Sequence, residues 1–237
     1  MSDAPEIPPT EKTTSEKRVR DWRSFGKEYV IVVLGVLTAL AAQQAADWLR
    51  WESEVKQARV TLRAEMSTVA DYYSRRDAIA SCVDAKLDRV YAMIAALAAG
   101  QQPDLKGMAF NGLGAPIYDS EWQSQRESQT VTHFPREELA AMSVFYGQFD
   151  SMRNWSQEEA ATWARLAVLQ DGPQKLGAED LAQLRINYHL ARRFQYVITL
   201  NARRQLVVAA RLGIAANPPS AAQAAEYCNP TSNATKY

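Results

Sequence analysis

The chain holds few residues suited to chemistry. Cys82 and Cys228 are its two cysteines, and His133 and His189 are its two histidines. The cysteines stand too far apart for a zinc knuckle or a C-x-x-C redox pair. What they can form is one long-range disulfide, provided that the chain folds in an oxidising compartment. The alternative is a buried thiol at Cys82 and an unpaired thiol at Cys228. Arg185, His189 and Arg192 fall at i, i+4 and i+7 on one helical face. Such a face suits a small anion or a phospholipid headgroup, or else it is a solvated row paired with acids of neighbouring helices. His133 precedes a helix start and reads as a capping or surface residue. Ser53 and Lys56 match S-x-x-K, but the companion motifs are missing. The glycines of "FNGLGAP" do not follow a strand. The sequence contains no phosphate loop, G-x-S-x-G elbow or H-E-x-x-H. The expectation is therefore no catalytic set, no metal site, no cofactor and no enzyme.

The elements that must position these residues are helices. Alanine is abundant, and β-branched runs are scarce outside one stretch near the start. The fold class expected is all-α, with one N-terminal transmembrane helix continuing into an antiparallel helical bundle. Residues 1–28 read as a disordered basic cytoplasmic tail and 29–49 as the transmembrane helix. Residues 50–213 read as a periplasmic helical bundle and 214–237 as a C-terminal tail. The 27 basic and 27 acidic residues cancel, so no overall charge draws the chain to nucleic acid.

Tyr29 to Ala46 carries no charge. As a helix it is about 27 Å long, close to the thickness of a bilayer's hydrocarbon core. Tyr29 at one end, with Trp48 and Trp51 at the other, suits the interfacial aromatic belts. Ala39-Leu40-Ala41 resembles a signal-peptide cleavage site, but the region before it is long and carries acids as well as bases. A buried core helix is the remaining alternative, and an uncleaved span is the reading adopted. Lys17, Arg18, Arg20, Arg23 and Lys27 crowd the preceding flank, while Arg50, Lys56 and Arg59 are sparser beyond it. The positive-inside rule places the N-terminus in the cytoplasm and the rest on the exported side. Gly35, Ala39, Ala42 and Ala46 share a face, with Gln43 beside it. Small residues so spaced let helices approach closely, and a glutamine can bond across the contact. The partners expected are the lipid bilayer and, through this face, a second copy or another membrane protein.

Beyond the span, apolar residues recur at helical spacing from Trp51, Val55, Ala58, Leu62, Met66, Val69 and Tyr73 to Ala80, Val83, Leu87, Val90, Ile94 and Leu97. The polar patch Ser74 to Asp77 is the expected break, and Gly100 and Pro103 the end. Residues 100–135 are irregular, with a short helix near Asp119 to Glu127. Pro135 starts a second long helix, with Leu139, Met142, Phe145, Phe149, Met152, Trp163 and Leu166 inward, stopped by Asp171-Gly172-Pro173. A third runs from about Ala178 to Leu212, with Leu181, Leu184, Tyr188, Ala191, Ile198 and Val208 inward. Trp122, Trp155 and Trp163 read as packing anchors, and Arg203-Arg204 as surface.

The stretch "VIVVLGVLTALAAQQAADWLRW" resembles the start of a family of uncharacterised bacterial single-span inner-membrane proteins. In them a V-V-x-G-V-L-x-A-L run is followed by glutamine or asparagine and tryptophan, then by a charged helix. "YDSEWQSQRESQTVTHFPREELAAMSVFYGQFDSM" is similar to their middle region, so the likeness extends over about Phe25 to Met152. Glu127-Ser128 stand where those proteins often carry a small-glycine turn. The resemblance implies an inner-membrane protein with an exported helical domain and carries over no activity. A scaffold or accessory subunit acting by protein–protein contact is the functional expectation. A sensor-like domain binding a small anion or lipid headgroup is the alternative.

Overall fold

The computed structural model describes residues 15–115, 117–171 and 176–228. Of the tail read as disordered (1–28), residues 1–14 lie outside them, as do Pro116, the Gly172-Pro173 stop and residues 229–237, whereas residues 15–28 are helical and continue into the apolar run. Among the described residues the regular elements are all helices, without a strand: one long, apolar N-terminal helix followed by other helices. These are α1 (Ser15–Ala78), α2 (Ala80–Ala98), α3 (Ser120–Glu127), α4 (Arg136–Tyr146), α5 (Phe149–Leu166), α6 (Ala178–Arg211) and α7 (Ala221–Cys228). Short 3-10 turns at Thr130–His133 and Ala167–Asp171 precede α4 and follow α5. The chain forms two compact units, Met1–Glu54 and Val55–Tyr237.

In the first unit, α1 is long and apolar enough to cross a membrane, and its apolar window is wholly unburied. Val30, Ile31, Val32, Leu34, Leu37 and Leu40 are all more than half exposed. Apolar residues thus surround the helix instead of forming the one-sided stripe of a helix that packs on a core. Thr38 donates its hydroxyl to the Leu34 carbonyl at 2.8 Å, so this polar group is met within the helix. At the polar end, Arg50 lies near Asp47 and Glu54 and over the Trp51 ring.

In the second unit, burial follows the expected stripe. Val55, Ala58, Leu62, Met66, Val69 and Tyr73 of α1 are buried, as are Leu87, Val90, Ile94 and Leu97 of α2. The first group packs with Met142, Phe145, Phe149 and Met152, and with Ile198 and Ala202 of α6. The second packs with Trp163 and Leu166 of α5 and with Leu184 and Ala191 of α6.

Paired residues fix the directions. Arg59 binds Glu138, the Tyr146 hydroxyl reaches the Leu62 carbonyl, Tyr72 meets Ser156, and Arg76 binds Glu159. Numbers rise together, so α1–α2 and α4–α5 run the same way. α6 is the antiparallel partner: Arg203 meets Asp77, Gln195 meets Ala80, and Arg192 meets Asp88. Two parallel stretches need a return path, and the irregular residues 99–119 with α3 supply it. Lys106 accepts from Arg89, Ile117 and Asp119 accept from Arg153, and α3 reaches Glu65. Gly112 lets this path lie on α5, since a Cβ there would come within 3.1 Å of the Ala160 Cα.

Helix ends show which signals were local. α2 and α6 each finish on a glycine in the left-handed region, Gly100 (φ 69°) and Gly213 (φ 69°). The residue after each glycine donates back to a carbonyl of the last turn, Gln101 to Ala96 and Ile214 to Ala209, closing a Schellman-type cap. The start of α3 is capped from a distance. Asp119 precedes it, but makes no cap and binds Arg153 instead; the Glu65 carboxylate of α1 accepts from the Glu121 and Trp122 amides at 2.9 and 3.3 Å. Trp122 then stacks on Tyr146 at 4.7 Å. Beyond α3, Gln129 takes φ 62°, a conformation that glycine adopts more readily.

Three expected boundaries move. The break expected at Ser74 to Asp77 falls at Ile79. Residues 74–77 stay helical because Arg76 turns inward to Glu159 while Asp77 meets Arg203. The second long helix is interrupted at Gly147-Gln148, where a Cβ on Gly147 would meet the Ser143 carbonyl at 2.8 Å. The segment read as a C-terminal tail contains α7.

Candidate functional site

Gly35, Ala39, Ala42, Gln43 and Ala46 lie on the exposed part of α1 in the first unit. A Cβ added at Gly35 would meet nothing within 4 Å, so this backbone is open to an approaching partner.

The second unit has a polar interior at the α1–α2 junction. Arg76 and Glu159 are each 1 % exposed. Arg76 donates from Nη1 to Oε2 of Glu159 at 3.0 Å and from Nη2 to the other carboxylate oxygen. Nη2 also donates to Gln195 Oε1 at 2.7 Å, and Gln195 Nε2 donates to the Ala80 carbonyl at 2.9 Å. One glutamine thus ties the buried ion pair to the start of α2. A buried charge pair is tolerable only when its remaining donors and acceptors are met. Here both carboxylate oxygens are occupied, while Arg76 Nε is buried without a partner.

Above this pair lies a cavity of about 370 Å³. Arg76, Ile79, Val83, Lys86, Glu159 and Trp163 line it, together with Asn111, Gly112 and Leu113 of the return path, and α7 adds Gln223 and Glu226. The Lys86 ammonium sits 4.5 Å from the centroid of the Trp163 ring. Burial lowers its pKa from the ordinary 10.5 to about 8, against the opposing pull of Glu159. The Cys82 and Cys228 sulfurs are 2.01 Å apart, at disulfide distance, and both residues line the same cavity.

The Arg185, His189 and Arg192 row has a different environment. Arg192 is committed to Asp84, Asp88 and the Tyr188 hydroxyl. Arg185 and His189 are exposed, and the His189 ring lies against Tyr188. The α2 carboxylates thus offset the one member of the row that is partly buried. Ser53 and Lys56 are exposed on α1, and His133 is exposed at the end of the 3-10 turn.

Sequence reasoning missed Arg76, Glu159 and Lys86. A signal for the first two was present. Arg76 occupies the slot between Tyr73 and Ala80 in the buried stripe, and Glu159 the slot between Met152 and Trp163. Two opposite charges in core slots of two helices are candidates for a buried pair. Nothing local distinguishes Lys86 from a surface lysine.

Fold and site define an all-helical protein with one long apolar N-terminal helix and a cavity-bearing helical unit. No protein-family model matches the chain, and no curated protein or solved structure matches it.

Proposed function

We propose that this chain is a membrane-anchored helical module of the bacterial inner membrane. Residues 29–49 sit in the bilayer, the N-terminus is cytoplasmic, and the unit from Val55 onward is periplasmic. The module acts by protein–protein contact, as a scaffold or an accessory subunit of a membrane complex, and not by catalysis. The observation carrying this reading is the all-round exposed apolar run of α1, which the described residues of its own unit leave uncovered. Water penalises such a surface, and lipid does not. Cysteines at disulfide distance fit an oxidising compartment. The crowding of bases before the run fits the orientation.

The contact within the bilayer is expected to use the Gly35, Ala39, Ala42 and Ala46 face, with Gln43 bonding across it. The double substitution Gly35→Leu/Ala39→Leu tests this. Leucine at Gly35 meets open space within the chain, so helix formation is preserved while close approach is blocked. Crosslinking in native membranes should lose the adduct formed by the wild-type chain. An adduct of undiminished yield in the double variant removes this face from the account.

A further inference from the structure

We propose that the cavity between α2 and α5 is a binding site for a small organic monocarboxylate, its charge on the Lys86 ammonium and its apolar body on Trp163, Ile79 and Val83. This site belongs to the second unit and does not depend on the membrane reading.

A cavity of about 370 Å³ falls within the range that ligand pockets occupy. The one lysine of its wall selects the ligand. Arg76 and Glu159 pair at the floor, with both carboxylate oxygens taken. The Lys86 ammonium lies over Trp163 and is held by no ion pair among the described residues, although the Glu159 and Glu226 carboxylates line the same cavity. The Trp163 face stabilises the charge from one side only, and burial still disfavours it. An anion entering the cavity would supply the missing acceptor. Glu226, exposed on the α7 side, disfavours multiply charged anions, so a monocarboxylate fits better than phosphate. The apolar wall gives an organic body a place that an inorganic ion would leave empty.

α7 closes one side of the cavity. Its described side chains are exposed or half-buried, so packing alone holds it weakly. The Cys82–Cys228 link fixes it to α2 and keeps Gln223 and Glu226 in the wall.

The test is equilibrium dialysis of radiolabelled benzoate against the full chain in lipid nanodiscs, with benzamide and inorganic phosphate as competitors. Benzoate should bind saturably at one site, and neither competitor should displace it at equal concentration. Lys86→Met keeps the stem and removes the charge; it should weaken binding about tenfold or more, the size expected for a charge-assisted hydrogen bond. Val83→Trp fills the cavity while keeping Lys86, and it should abolish binding. The charged groups facing Lys86 are Arg76 of α1, Glu159 of α5 and Glu226 of α7. Affinity should fall as pH rises through about 8, where the ammonium loses its proton. The proposal is overturned by absent benzoate binding, by equal competition from benzamide, by preference for phosphate, or by binding that either variant leaves unchanged.

Discussion

Replacing Glu159 with alanine should destabilise the helical unit by about 3–5 kcal/mol, the usual cost of stranding a buried charge. Arg76 would keep Gln195 as its one remaining acceptor in a site 1 % exposed to solvent. The loss should appear in urea unfolding of the full chain in nanodiscs, followed by tryptophan fluorescence. The companion variant separates charge from packing. Arg76→Met with Glu159→Leu removes both charges and keeps apolar volume, so it should recover most of the lost stability. A Glu159→Ala chain within about 1 kcal/mol of wild type would mean that water reaches Arg76 freely.

Removing the cysteine link should cost about 2 kcal/mol, less than its long loop first suggests. The two residues are 146 apart in sequence, so the link restricts the unfolded chain strongly. It also restricts the folded chain. Asn217 is already held by Asp71, its amide donating at 2.6 Å, and Ile214 is buried. Cutting the link therefore frees only a short segment through α7 in the folded state but a long loop in the unfolded one. Closure entropy depends on the logarithm of loop length, and the difference between these two loops sets the estimate of about 2 kcal/mol. Cys82→Ser and Cys228→Ser should shift the urea midpoint alike, and reducing the wild type should match them. Limited proteolysis should then cut near α7 first. An unchanged midpoint, with α7 still protected, would show that packing holds it without the link.

Much of this architecture could be read from residue order because its signals are local. The spacing of Val55, Leu62, Met66 and Val69 places one helical face inward whatever it packs against. Gly100 and Gly213 end their helices through a left-handed residue and two backbone bonds, all within a few positions. Other features depend on partners distant in sequence. Whether Arg76 breaks a helix or enters the core depends on Glu159. The α3 start looks as if Asp119 should cap it, yet Glu65 does so. The parallel course of α1–α2 and α4–α5 depends on how residues 99–119 return along the unit. Glycines and prolines mark that segment as irregular without giving its path. Among the site residues, counting gave Cys82 and Cys228 one possible partner each, but their approach to disulfide distance depends on where α7 returns to α2. Lys86 could not be found that way, since its place over the Trp163 ring depends on α5, distant in sequence.

The central claim is that residues 29–49 cross the bilayer and leave the unit from Val55 onward on the exported side. Protease treatment of intact bacterial spheroplasts tests it most directly, using a chain with different epitopes at its two ends. The account predicts that the chain stays with carbonate-washed membranes, that protease removes the C-terminal epitope, and that the N-terminal epitope survives until lysis. A chain released by carbonate, or a C-terminal epitope protected until lysis, would contradict it.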